Sequence, residues 1–382
     1  MKFQLNPWVI VLCSLILACV ACQGAILPVQ QPSQQPDVAA PMPLIAGEGT
    51  IHGFFPSPPR ASFDSILGHF QRLSEHADFI LIQPNIPWED FVEGVEGESQ
   101  AREDLKNQVA LARQFDLGWI FVVDPLNGLN RREFKGLPES WPTTFGNPDV
   151  RQAFLHFSEW IVREFKPAYL GLASEINTYM DAHPDDVEAY VSLYMEAYEL
   201  VKSIDPDVQI FVTFQWDDLN NMFPSAAEGR TQYATNWDQV EVFEPNLDLW
   251  VISSYPYFAF PEGKAIPDDY YAPLHEKTDK PLAVAEGGWS SKPIGSVRGD
   301  KAGQEMYLQA IHDQLGERLD FWVYLILSDL DMNSISAAAV EQGSSETDLD
   351  TLNYFQFVGL TTSDGDPKPA LATWDALRMG DG

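Results

Sequence analysis

From residue 47 onward, short apolar runs alternate with longer amphipathic stretches eight times over. The runs are rich in β-branched and aromatic residues. They predict strands at Thr50–Phe55, Phe79–Gln83, Trp119–Asp124, Tyr169–Glu175, Gln209–Phe214, Leu249–Ser254, Leu282–Glu286 and Phe321–Leu327. These are nearly continuous in apolar character, as parallel strands covered on both faces require. Between them, Phe154, Phe157, Ile161 and Phe165 share one helical face. Tyr190, Tyr194, Ala197 and Val201 share another, and Leu308, Ile311 and Leu315 a third. Asn147-Pro148 and Asp300 read as helix starts, and a last helix is expected over 369–379. The fifth helix, within 225–242, has the weakest pattern.

Eight strand-then-helix units in about 330 residues predict an α/β chain with a single (β/α)8 barrel over 47–382. No Gly-x-Gly-x-x-Gly follows the first strand, so a dinucleotide-binding sheet has no support. In such a barrel the functional residues lie at or just past the C-terminal ends of the strands. The long connections there, 126–146, 215–235, 255–267 and 328–353, are expected to wall a cleft.

Two strands run straight into a glutamate: Gly171-Leu172-Ala173-Ser174-Glu175 in the fourth and Leu282-Ala283-Val284-Ala285-Glu286 in the seventh. A carboxylate in apolar surroundings is costly unless it is partnered or opens on a cleft. Hydrolysis of a glycoside with retention uses two carboxyl groups about 5–5.5 Å apart, one as acid/base and one as nucleophile. Glutamates at these two strand ends can face one sugar ring across the barrel mouth.

The same residues carry a resemblance. Val284-Ala285-Glu286-Gly287-Gly288-Trp289 resembles the nucleophile segment of family 53 endo-β-1,4-galactanases within clan A of the glycoside hydrolases. Asp248–Pro256 resembles their sixth strand, and Phe357–Leu360 with Asp364–Ala370 their closing segment. The resemblance implies Glu175 as acid/base, Glu286 as nucleophile and Tyr255 as a hydrogen-bond donor to Glu286. It breaks at two places. The clan carries Asn before the acid/base, where this chain has Ser174, with Asn177 as the alternative contact. It also carries an Arg near the end of strand two, where Gln83-Pro84-Asn85-Ile86-Pro87-Trp88 has none.

Sugar rings stack on aromatic faces. Trp88, Trp216, Tyr257 and Trp289, each just past a strand end, are the candidate platforms, and Trp322 is assigned to the core. His52 and Asp329 are further candidates for substrate contact, and Asp217, Asp218 and Asp331 are acids of the same rim. The seven histidines show no zinc spacing and no Gly-x-Ser-x-Gly is present, so neither a zinc site nor a serine nucleophile is expected. No cofactor is expected, and calcium on the rim acids is the alternative to sugar contact.

Composition then narrows the partners. A net charge of −33 disfavours nucleic acid, anionic membranes and polyanionic glycans, and leaves a neutral poly- or oligosaccharide. Residues 1–22, with Lys2 before an apolar stretch, read as an export signal. All three cysteines (Cys13, Cys19 and Cys22) lie in it. The run around Cys22, or Cys19, resembles a bacterial lipoprotein signal, which implies a lipid as the only membrane contact. Residues 23–46, rich in Pro and Gln, read as a disordered tether. The expectation is an exported or surface-anchored monomer that hydrolyses β-glycosides with retention, in endo fashion. The alternative is a glycan-binding surface lipoprotein that uses the same barrel without catalysis.

Overall fold

A computed structural model describes residues 49–223, 230–260, 266–295, 297–341 and 344–380. The signal, Cys19, Cys22 and the tether lie outside the described residues. The eight expected strands are all present: β1 (Ile51–Phe54), β2 (Phe79–Ile82), β3 (Gly118–Val122), β4 (Tyr169–Gly171), β5 (Gln209–Phe211 and Thr213–Gln215), β6 (Trp250–Ser254), β7 (Leu282–Gly287) and β8 (Leu319–Tyr324). They pair in parallel in sequence order, and β8 pairs with β1, which makes a barrel. Within β5, the first segment pairs with β4 and the second with β6, so the ring closes through a single interruption at Val212.

The outer layer consists of α1 (Phe63–His76), α2 (Gln100–Gln114), α3 (Pro148–Phe165), α4 (Val187–Ile204), α5 (Asp238–Glu241), α6 (Ala272–Lys277), α7 (Lys301–Leu315) and α8 (Pro369–Met379). Every face residue named from periodicity in α3, α4 and α7 is buried. Asn147 caps α3 by accepting from the Asp149 N–H, with Pro148 in the first helical turn, and Asp300 caps α7 by accepting from the Gly303 N–H. The faint fifth helix is a single turn, and α6 is little more.

Phe321 of β8 packs on Phe79 of β2, Tyr169 of β4 and Phe211 of β5. Strands so far apart around the ring can meet only across its interior, so these rings floor the barrel. Gly53 and Gly171 make room for them: a methyl at either would lie within 2.8 Å of the Phe79 or Phe211 ring. The barrel is thus dry and aromatic below, and the polar side chains of β5, β6 and β7 gather above.

Two boundaries differ from expectation. Regular pairing of β4 ends at Gly171, so Glu175 lies four residues beyond it, just before the short helix Ile176–Ala182, with its side chain making no cap bond to that helix. β8 begins at Leu319 and ends at Tyr324, because its later residues turn to bond other strand ends, as in Leu325 N–H to Gly287 O at 2.8 Å. Trp322 is core, packed against Trp374 of α8.

Beyond β8 the chain returns through Gly359, whose carbonyl accepts from Lys368 Nζ at 2.6 Å and Gln304 Nε2 at 3.0 Å. A Cβ on Gly359 would meet the backbone of Ser328 and Asp329 at 2.3 Å. Gly359→Ala should therefore lower unfolding stability by roughly 1–3 kcal/mol. Gly68 of α1 has only the end of Arg72 nearby, at 3.9 Å. Gly68→Ala should raise stability by roughly 0.5–1 kcal/mol, and urea titration of both variants checks the contrast.

Candidate active site

Glu286 is the penultimate residue of β7 and Glu175 follows β4, and neither exposes any surface. Glu175 holds a left-handed backbone, with φ 49° and ψ 44°. That conformation costs a non-glycine residue on the order of 1–2 kcal/mol. It is held because the Glu175 N–H donates to Thr213 Oγ1 of β5 at 2.7 Å. Strain of this kind that the surroundings over-determine is common at functional sites.

A guanidinium joins the two glutamates. Arg131 Nε lies 3.3 Å from Glu175 Oε2, its Nη2 lies 3.6 Å from Glu286 Oε1, and its Nη1 lies 2.5 Å from Asp124 Oδ2. Both carboxylates therefore face one side chain. Arg131 comes from a two-stranded hairpin, Leu126–Asn127 against Asn130–Phe134, between β3 and α3. The hairpin is tied down. Asn85 Nδ2 donates to Leu126 O at 3.1 Å, Trp88 Nε1 donates to Lys135 O at 2.8 Å, and His183 Nε2 meets Arg132 O at 2.7 Å. Phe134 packs on Trp88, Phe145 and Tyr179. Asp124 is fixed in turn by Gln83 Nε2 at 3.0 Å and the Leu126 N–H at 3.2 Å.

The environments of the two glutamates differ. Glu286 accepts from Ser174 Oγ at 2.9 Å and from the Tyr255 hydroxyl at 3.4 Å, besides facing Arg131. Burial pushes its pKa up to about 7, against the pull of Arg131 and these donors. Glu175 accepts from Ser253 Oγ of β6 and faces Arg131. Burial and then the charge of Glu286 hold its carboxyl well above the usual carboxylate range. Of the two, Glu175 is the one placed to keep a proton.

Of the residues expected at the site, Glu175, Glu286, Ser174 and Tyr255 come together. Asn177 does not touch the carboxylates: its side chain pairs with the backbone of Gln215, accepting at 2.8 Å and donating at 3.2 Å. Trp88, Trp216, Tyr257 and Trp289 all lie below the surface. Trp216 stacks on Tyr271, and Tyr257 packs on Phe258 and Trp289, so these rings present no open face. Asp329 lies past β8 in an ion pair with Lys368 at 2.6 Å, and burial raises its pKa to about 6. His52 sits in the strand–helix layer between Trp322 and Trp374, away from the mouth, because its position in β1 points it outward.

The sequence reading passed over Arg131, Asp124, Thr213 and Ser253. Signals for them existed. Asn127-Gly128 is a hairpin turn pair, and Asp124, Thr213 and Ser253 are polar residues inside apolar strand runs.

A (β/α)8 barrel with one glutamate past the fourth strand and another on the seventh is the class that these observations define. No protein-family model and no curated protein matches the chain. Solved structures do. An exo-β-1,4-mannosidase from Opitutaceae bacterium strain TAV5 aligns with a TM-score of 0.61 and 11% identity, over 87% of this chain and 59% of that one. A β-glucuronidase from an uncultured Clostridium sp. aligns at 0.51 and 13%, over 87% of this chain, which spans only 50% of its length. One of two fungal β-1,4-galactanases aligns at 0.50 and 14%, over 81% and 89%. These neighbours are glycoside hydrolases built on the same barrel, and at such identities the likeness establishes the fold.

Because the folded-state pKa of Glu286 lies above its unfolded value, the native state binds more protons between about pH 4.5 and 7. Its contribution to stability is lost as pH rises through that window. Glu286→Gln removes the ionisation. The variant should therefore gain stability relative to wild type on going from pH 5 to pH 8, by on the order of 1–3 kcal/mol, in paired thermal melts.

Proposed function

We propose that the chain is a retaining β-glycoside hydrolase acting on a neutral poly- or oligosaccharide, with Glu175 as acid/base and Glu286 as nucleophile. The observation that carries this reading is the placing of two buried glutamates, one past the fourth strand and one on the seventh, against one guanidinium. Glu286 has two hydroxyl donors besides Arg131 and ionises first, while Glu175, beside that charge, keeps its proton. Pairs of carboxyls pushed apart in this way identify acid and base. In the proposed cycle Glu175 protonates the leaving oxygen as Glu286 attacks the anomeric carbon. Glu175 then takes a proton from the water that releases the glycosyl group. Ser174 and Tyr255 hold the attacking carboxylate in place, and the closed surroundings keep water from competing. The neighbours' names put β-1,4-mannosides and β-1,4-galactan first among substrates, and endo action is the mode expected from the long loops of the sequence. An exported, lipid-anchored protein remains the reading of residues 1–22.

A second reading, glycan binding without turnover, draws on the two departures from the clan pattern, Ser174 before Glu175 and no Arg among residues 83–88. Reducing-end release from mannan, galactan, xylan and β-glucan, together with labelling by a mechanism-based glycosyl inactivator, separates the two. No cleavage and no label from the whole panel would leave binding as the function.

For the enzyme, Glu286→Ala should lower kcat by roughly 10³-fold or more on every substrate. Glu175→Ala should spare aryl glycosides with good leaving groups, which need no acid. The kcat/KM profile should rise as Glu286 ionises near pH 7 and fall at higher pH as Glu175 loses its proton. An optimum below pH 6 would contradict the assignment.

A further inference from the structure

Resting on the glycosidase reading above, we infer that Arg131 is a specificity-determining residue whose Nη2–H donates to the 2-hydroxyl of the sugar ring held between Glu175 and Glu286. A hydrogen bond to this hydroxyl strengthens as the ring approaches its oxocarbenium-like transition state. The donor must lie beside Glu286, because C2 adjoins the carbon that Glu286 attacks.

The other donors around the pair are committed. Ser174 Oγ and the Tyr255 hydroxyl are on Glu286, Ser253 Oγ is on Glu175, and the Asn177 amide is on the Gln215 carbonyl. Arg131 spends Nε on Glu175 and Nη1 on Asp124. Its Nη2 is buried with no hydrogen-bond partner among the described residues. At 3.6 Å, Glu286 Oε1 is an ion-pair neighbour rather than an acceptor. A buried N–H left without an acceptor is destabilising, and a ligand oxygen would relieve it. The anchored hairpin fixes the guanidinium before substrate arrives, so the donor needs no rearrangement as charge develops.

The same geometry defines the substrate class: β-glycosides with a free 2-hydroxyl. A 2-acetamido group would have to displace a guanidinium that Asp124 and Glu175 anchor beside Glu286, so 2-acetamido sugars are excluded.

The test compares 2,4-dinitrophenyl β-glucoside, β-mannoside and β-galactoside with their 2-deoxy counterparts, on wild type, Arg131→Lys and Ser174→Ala. Lysine keeps the charge but loses the planar fork. The wild-type preference for the 2-hydroxy substrate in kcat/KM should fall by roughly 10²-fold in Arg131→Lys, through kcat more than KM. In Ser174→Ala both substrates should slow together and the preference should persist, because that hydroxyl serves Glu286. An Arg131→Lys enzyme that is folded by near-UV circular dichroism and keeps the wild-type preference overturns the assignment while leaving the glycosidase reading intact. So does a Ser174→Ala enzyme that loses the preference, and this variant decides the matter if Arg131→Lys does not fold. A wild type inactive on every probe removes the glycosidase reading and the assignment with it.

Discussion

One guanidinium governs the mouth of this barrel. Asp124, Glu175 and Glu286 are three carboxyls at or near zero exposure, and Arg131 touches all of them. Without a cation between them the three could not share so small a space ionised, since desolvation and mutual repulsion act in the same direction. With it, burial still raises both glutamates above the usual carboxylate range, so the pair holds a proton more readily than it would in water. The extra hydroxyl donor on Glu286 and the Glu286 charge beside Glu175 both direct it to Glu175. The unequal surroundings of the two glutamates are thus a consequence of charge balance among buried groups.

The fold supplies that dryness in layers. The aromatic floor made by Phe79, Tyr169, Phe211 and Phe321 keeps water from reaching the carboxyls from below. The interruption of β5 at Val212 frees Thr213 to bond Ser174 and the Glu175 N–H, which fixes the left-handed turn that aims Glu175 into the barrel. Above, Phe355 packs edge-on against Tyr255 at 5.3 Å, so the donor to Glu286 is itself held from the loop beyond β8.

Much of this was legible before any coordinates. Period and composition placed all eight strands, because parallel strands buried on both faces leave a continuous apolar signature that turns interrupt. The two glutamates stood out for the same reason, as charges ending apolar runs. What was not legible depends on distance across the fold. Arg131 lies in Asn130-Arg131-Arg132-Glu133, a polar stretch with no local mark to separate the buried arginine from the one beside it. Only the hairpin's register turns Arg131 inward. Trp88, Trp216, Tyr257 and Trp289 stand at the positions where stacking platforms belong, but sequence does not reveal that Trp88 packs on Phe134, Trp216 on Tyr271 and Tyr257 on Trp289.

The missing arginine of β2 and the cation found on the hairpin are two sides of one constraint. A nucleophilic carboxylate in a barrel mouth needs a positive neighbour, but physics fixes only where that charge must end, not which strand carries it. In this chain β2 offers Gln83, which reaches Asp124, and Asp124 in turn orients Arg131. The charge therefore enters from the third strand's loop through a carboxylate relay. From that side the guanidinium lies across both glutamates rather than behind one. Such a position couples the ionisation of the pair, because the one cation that offsets the charge of Glu286 also faces Glu175.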